Sequence, residues 1–435
     1  MSTPGSGLMS SFVIGGLRIE LGSFHWNLIE KVGMNILQLA PKVPFPLDEG
    51  GRISIYNTTK QLALSGAKVY FAALSENPKN ENLGDLYRWC KDISVIKHKK
   101  HYGLVSIARS LFLKIPLNIA KFQSPAVLQA LTQFGRKHKI DLIHVDYLHM
   151  AQYGLALKNI LSKPAVLREH DLEIKMMQRF AEVETRPHLK FVARVQAKTF
   201  RRYQPEICAQ FDKCIMVSAD DERDLRQLAP RVKTTVIPIG VDTHYFRPHR
   251  ERAGPSTICY LGSLDWFANV QGIRWFAKDV LPLVAKEHGT VKLLIYGSSP
   301  GRSVSELADG KRIFVMGFIE DAREAFRSAT VFIAPEAVGS GLRIKILEAM
   351  AMGKPVVATS VSCEGIAVKH GRDILVADKP ADFAREVSLL LSSERLRRSV
   401  STNARRSIVR QYSWATLGRK FLRTYQDILE GYERN

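Results

Sequence analysis

Cysteine is scarce in this chain and poorly placed for cross-linking. The 435 residues include five, at positions 90, 208, 214, 259 and 363, an odd and scattered set without Cys-x-x-Cys spacing. That argues against a disulfide scaffold or a zinc site and for a reducing, cytoplasmic setting. No apolar run reaches the roughly 18–20 residues that a bilayer span needs. No Asp-x-Asp pair and no His/Asp cluster at ligand spacing occurs, so no metal or other cofactor is implied. Acidic residues are few: 42 Asp and Glu face 63 Lys and Arg, a formal net charge of +21. No zinc-finger spacing, arginine-rich block or RNA-recognition signature accompanies that charge, so nucleic acid is not the expected partner. The densest basic run, Lys97-His98-Lys99-Lys100-His101, leads into an apolar-basic segment at 110–122. That pairing suits an anionic membrane surface or a phosphorylated acceptor, with a merely soluble basic surface as the alternative.

What is present is an alternation of short apolar strands and helical segments, the pattern of parallel sheets built from βαβ units. Strands are expected at 35–40, 68–73, 141–146, 165–169 and 213–218, then at 256–261, 292–296, 313–315, 331–334 and 355–359. Helical patterns lie between them, as at 54–65 and 126–138. Two such blocks predict an α/β protein with two doubly wound domains facing across a cleft, ligands lying at the carboxyl ends of the strands. Pro238 and Gly240 punctuate the boundary, which gives a first domain at 34–238 and a second at 239–411. Leu417, Phe421, Leu422, Tyr425 and Leu429 recur at helical spacing, so 412–435 is expected to be a helix returning to the first domain. Residues 1–33 carry no basic n-region and only a short apolar run; they are expected to be a disordered, dispensable extension, with Met34 marking the packed chain.

The richest stretch is 335–355, PEAVGSGLRIKILEAMAMGKP. A Gly-Ser-Gly turn (Gly339, Ser340, Gly341) runs into a helix with Arg343, Lys345 and Glu348 in its opening turns. Free N–H groups and two cations at a helix start suit a diphosphate. Lys345 and Glu348, three apart, share a face and either address one ligand or form an ordinary surface ion pair.

Together with ILQLAPKVPFPLDEGGR (36–52), VIPIGVD (236–242, with Phe246 and Pro248), YLGSLDWFANVQG (260–272), VSCEGI (361–366) and GRDILVAD (371–378), this stretch resembles the group 1 family of retaining, nucleotide-sugar-dependent glycosyltransferases with the GT-B fold, in the family's order. The subgroup associated with bacterial exopolysaccharide loci is the most similar. The resemblance implies a hexosyltransferase-type enzyme, peripheral on the inner face of the cell membrane. It would move a sugar from a nucleotide diphosphate donor to a lipid-linked or polysaccharide acceptor, with retention, in exopolysaccharide or cell-surface glycan synthesis. A nucleotide-sugar epimerase of the same fold, a transferase acting on a small soluble acceptor, and a weakly active carbohydrate-binding partner of a transferase complex are the alternatives.

The resemblance also assigns residues. Glu348 would bind the donor ribose. Much of the family has a second glutamate eight residues earlier, where this chain has Ser340; sugar contact then falls to Ser340 and to backbone N–H groups from Gly339 to Leu342. The family's diphosphate-holding Arg and Lys after the first strand of the second domain are absent. That loop offers Ser263, Asp265 and Asn269, with Gly272 near the expected Lys, so Arg343 and Lys345 are the replacements. His170 would touch the donor sugar near the reacting carbon, with His144 and His149 as weaker candidates for the same wall. Gly50 and Gly51 would admit the donor against the main chain, Ile319 would lie at the base, and Arg52, His149 and Lys175 would face the acceptor.

Overall fold

The computed structural model describes residues 33–434 apart from 48, 100–109, 111–113, 185, 250–253, 255 and 339–341. The extension expected over 1–33 therefore lies, except for Gly33, outside the described residues. So do Lys100 and His101 of the basic run, and Gly339, Ser340 and Gly341 of the expected donor turn.

Two parallel sheets organise the chain. The first contains β1 (Asn35–Ala40), β2 (Lys68–Ser75), β3 (Cys90–Lys97), β4 (Leu142–Asp146), β5 (Ala165–Glu169), β6 (Lys213–Met216) and β7 (Thr234–Val236) in the order β3-β2-β1-β4-β5-β6-β7. The second contains β8 (Thr257–Leu261), β9 (Lys292–Tyr296), β10 (Ile313–Gly317), β11 (Val331–Ala334), β12 (Val356–Ala358) and β13 (Leu375–Val376) in the order β10-β9-β8-β11-β12-β13. Strand order reverses between β1 and β4 and between β8 and β11, and crevices for ligands form beyond the carboxyl ends of such strands. Helices cover both faces, which is why β11 reads Val-Phe-Ile-Ala with every side chain buried. The two doubly wound domains are those the sequence pattern predicts.

β3 is not among the expected strands. It is an edge strand, CKDISVIK, with most side chains only partly buried, so it has no continuous apolar run to betray it. The first helix, Gly50–Leu64, starts four residues earlier than its apolar pattern. Gly50 and Gly51 are thus its opening residues rather than a free loop.

The last helix, Trp414–Glu433, packs on Gly50–Leu64 of the first domain. Leu417, Phe421 and Tyr425 are buried there, each worth roughly 1.5–3 kcal/mol when fully removed from water. Where the chain crosses between domains it does so twice, side by side. Val241 N–H donates to Tyr412 O at 2.8 Å, and Trp414 N–H donates to Val241 O at 3.3 Å. Gly240 is required here: a Cβ would stand 2.7 Å from the Trp414 indole. Among the described residues no helix is long and apolar enough to cross a membrane.

Candidate functional site

The first domain supplies a wall of buried polar groups at the ends of β1, β4 and β5. Asp146 closes β4, and its neighbour Tyr147 has φ 69° and ψ 145°, an unfavourable conformation for a non-glycine residue. That backbone swings the Tyr147 ring onto His170, just beyond β5, with centroids 3.9 Å apart and planes within 4°. Its hydroxyl rests over Gly51, where a Cβ would run into it. Gly51 therefore makes room for Tyr147. Gly50 faces the other domain: a Cβ there would lie 3.0 Å from Ile344 Cδ1.

His170 is 4% exposed, and its Nε2 lies 3.3 Å from Asp146 Oδ1. Burial lowers the imidazole to about 4, against the pull of Asp146 and with Arg168 assisting, so it is neutral at pH 7. Burial alone would raise Asp146, but His144 and His170 hold it well below the ordinary carboxylate range. Around this pair the acids are pushed up by burial: Glu169 to about 7, Asp171 to about 7 and Glu173 to about 8. Arg343 of the second domain opposes the rise at Asp171, which marks the two as neighbours across the cleft. His149 stands 3.8 Å from Glu173 and against the Phe122 ring.

The second domain answers with charge. Arg343 caps the helix Ile344–Ala351 and donates to Val338 O at 3.3 Å. Lys345, one residue into that helix, bonds to Glu336, to Tyr260 Oη at 3.2 Å and to Asn269 Oδ1 at 3.5 Å, and lies 4.6 Å from the Tyr260 ring centroid. Sequence reasoning misses Glu336. It directly follows Pro335 at the end of β11, fully buried, and Ser362 Oγ donates to it at 2.7 Å. Burial raises it, yet Lys345, Arg343 and Ser362 bring it down to about 2. Burial lowers Lys345 while Glu336 opposes the change, so the two stand as an ionised pair. The surface ion pair between Lys345 and Glu348 is corrected: the partner of Lys345 is Glu336. Glu348 retains some access to solvent, but desolvation pushes it up to about 8.

The structure brings Asn269, just beyond the loop after β8, to Lys345. Asn269 Nδ2 donates to Ser263 O at 2.9 Å while its Oδ1 faces Lys345, and Ser263 Oγ donates to Asp265. A lysine at Gly272 has no room, because even a Cβ would stand 2.8 Å from Pro335 O. Leu342 is buried, and Ile319 is half-buried beyond β10. Other residues are engaged locally. Arg52 Nε lies 3.0 Å from Glu49, and Lys175 bonds to Asp221 at 3.0 Å and Asp224 at 2.5 Å. His144 sits behind the wall, under the last helix. The described part of the apolar-basic segment is also corrected: Ile115, Ile119 and Phe122 are core residues of the first domain, so these side chains are not available to a membrane.

Tyr147 and Glu336 share one signal, a polar residue within two positions of the carboxyl end of a strand facing the crevice. Their partners come from distant parts of the chain or across a turn, which local pattern does not reveal.

Residues 255–393 match the family model described as Glycosyl transferases group 1, and residues 49–245 match Glycosyltransferase Family 4. An uncharacterized 44.6 kDa protein in the cps region of Klebsiella pneumoniae is 23% identical over 81% of this chain and 89% of its own. Phosphatidyl-myo-inositol mannosyltransferase of Mycobacterium leprae (strain TN) is 26% identical over 75% of this chain and 84% of its own. Among solved structures, sucrose-phosphate synthase from Thermosynechococcus elongatus superposes with a TM-score of 0.69 at 18% identity, covering 92% of this chain and all of that one. Anabaena HepE in complex with UDP gives 0.65 at 16% identity, covering 91% and 100%.

Proposed function

Because the chain belongs to the group 1 glycosyltransferases, we propose that it transfers a sugar, with retention, from a nucleoside diphosphate donor to a lipid-linked or polysaccharide acceptor in cell-surface glycan synthesis. The observation that carries this reading is the pairing of Arg343 and Lys345 at one helix start with the neutral His170 wall opposite. The UDP held by the HepE structure and the mannosyltransferase and cps-region relatives support the donor and acceptor classes.

In this reading the bond between the sugar and the diphosphate breaks while Arg343, Lys345 and the first N–H groups of Ile344–Ala351 oppose the charge growing on the leaving oxygen. The acceptor hydroxyl forms the new glycosidic bond on the face the diphosphate vacates, and its proton passes to that diphosphate. Glu348 accepts from the ribose hydroxyls. Ser340 and the N–H groups of Gly339, Gly341 and Leu342 take the donor sugar, aided by His170. The fixed cations do this without a metal cofactor, so a chelator is expected to leave the rate unchanged. Lys175 would exchange Asp221 and Asp224 for an acceptor phosphate, with Arg52 and His149 beside it.

For docking at the inner face of an anionic membrane, the supporting surface is the helix Pro187–Cys208. It exposes Phe191 (68%), Val192 and Val195 beside Arg194, Lys198 and Arg201. Vesicle binding should weaken as salt rises.

The deciding experiment incubates purified protein with UDP-, GDP- and ADP-sugars and polyprenyl-linked acceptors, and reads the product anomer by NMR. Transfer with the donor's configuration retained is expected. An inverted product overturns the retaining assignment, and an isomerised nucleotide sugar formed without acceptor returns the epimerase.

A further inference from the structure

A chain of buried polar groups in close contact runs from the last helix to His170, hydrogen-bonded at both ends and joined in the middle by the approach of His144 to Asp146. Tyr425 Oη lies 2.6 Å from His144 Nδ1, and His144 Nε2 is 3.3 Å from Asp146 Oδ1, the oxygen that His170 Nε2 also approaches at 3.3 Å. Gln38 Nε2 donates to the other Asp146 oxygen at 2.7 Å, and Thr59 Oγ1 donates to Gln38 Oε1 at 2.8 Å. Tyr425, His144 and Asp146 are each fully buried, and Phe421 of the same helix meets the His144 ring edge-on at 6.3 Å. We propose that Tyr425 is a positioning residue of the catalytic centre: through His144 and Asp146 it fixes the tautomer and orientation of His170.

The argument follows from donor and acceptor capacity. With the phenol donating, His144 Nδ1 accepts, and the ring then carries its proton on Nε2, facing Asp146. An ionised carboxylate only accepts, so His170 must likewise present Nε2–H to it. That leaves His170 Nδ1 with a bare lone pair. This nitrogen is buried and has no hydrogen-bond partner among the described residues, and a lone pair there can accept from a sugar hydroxyl. Without the Tyr425 hydroxyl, nothing at Nδ1 selects between the two His144 tautomers. The one with a bare Nε2 repels Asp146 and loosens the carboxylate that orients His170. The same logic, a third group holding an imidazole in one tautomer, is familiar from catalytic triads. The helix that follows the second domain thereby becomes part of the first domain's catalytic wall.

The inference rests on the glycosyl-transfer role proposed for His170, and the test separates the two. Selectively 15N-histidine-labelled protein reads the ring nitrogens directly, with His144 and His170 assigned by substitution. The wild type should show both as Nε2–H tautomers; His170 protonated on Nδ1 overturns the proposal without any variant. Tyr425→Phe keeps the ring and removes the hydroxyl. It should shift both histidines' nitrogen signals and lower kcat roughly tenfold or more, with donor KM within about twofold. Tyr412→Phe removes another buried hydroxyl, one that accepts from Ala367 N–H at 2.7 Å, and should change neither readout. Unchanged nitrogen signals and turnover in Tyr425→Phe overturn the positioning role. If Tyr425→Phe moves the signals while His170→Ala retains turnover, the coupling through His144 and Asp146 stands and the role of His170 falls.

Discussion

The two sides of the cleft are built on the same sheet plan but stabilise their polar groups in opposite ways. On the first-domain side burial has driven the groups around the ionised Asp146 to neutrality: His170 stays unprotonated, and Glu169, Asp171 and Glu173 hold their protons up to about pH 7–8. On the second-domain side burial is overruled by pairing at Glu336 and Lys345, which stay ionised in contact, while Glu348, unpaired among the described residues, is pushed up as the first-domain acids are. A neutral wall can be shaped by packing and hydrogen bonds without long-range consequences. An ionised pair keeps a cation in place beside the proposed diphosphate site and prevents it from losing its charge.

The sharpest way to break this comparison is at Lys345. Lys345→Ala strands Glu336 as a buried, uncompensated charge, at about 3–5 kcal/mol of stability. It also removes a charge-assisted contact to the leaving group, roughly 30- to 1000-fold in kcat. The double variant Glu336→Leu/Lys345→Met should recover most of the melting temperature and none of the turnover. Near wild-type turnover in either variant removes the diphosphate role.

The neutral wall answers to shape instead. Gly51→Ala should cost about 1–3 kcal/mol in denaturant unfolding by displacing the Tyr147 hydroxyl. Adding Tyr147→Phe should return part of that loss. If the double variant is as unstable as the single, Gly51 is not there to make room for Tyr147.

Acidity distinguishes the sides again. Carboxylates whose folded values are raised contribute stability that is complete below their unfolded values near 4 and lost as pH climbs through the folded ones. Glu169, Asp171 and Glu173 therefore predict a falling melting temperature between about pH 5.5 and 8, reduced in Glu173→Gln. His170, lowered to about 4, acts oppositely, its contribution being lost as pH falls from about 6.5 to 4. Glu336, at about 2, is silent throughout the upper window. A flat or rising profile from about 5.5 to 8 contradicts the neutral wall. The smallest effect concerns Glu348. Ribose hydroxyls favour its ionised form, so nucleoside diphosphate affinity should rise about tenfold as pH passes from about 6.5 to 9, and Glu348→Gln should flatten that slope in calorimetry.

The sheet plan is legible in the sequence because buried parallel strands are near-continuous apolar runs; the patterns at 35–40, 165–169, 292–296 and 331–334 match the strands to the residue. The edge strand Cys90–Lys97, half-exposed, offers no such run. Arg343 and Lys345 are legible as candidate replacements because they stand at the start and in the first turn of a helix that faces the crevice. Glu336 is not, since its partner is nine residues away across a turn. Nor is Tyr147, whose backbone conformation is imposed by its surroundings rather than by its own preference. His144 reads as a site residue but lies behind the site, because no local pattern shows that a helix 281 residues later will cover it.

The double crossing at Val241 and Tyr412–Trp414 has a mechanical meaning. Two bodies joined by a single strand can swing, twist and slide. Joined by two adjacent segments that are hydrogen-bonded to each other, they behave like a door on paired pins, with one rotation left free. Any movement of one domain against the other would then follow a single arc, with Ile344 over Gly50 at one end of it.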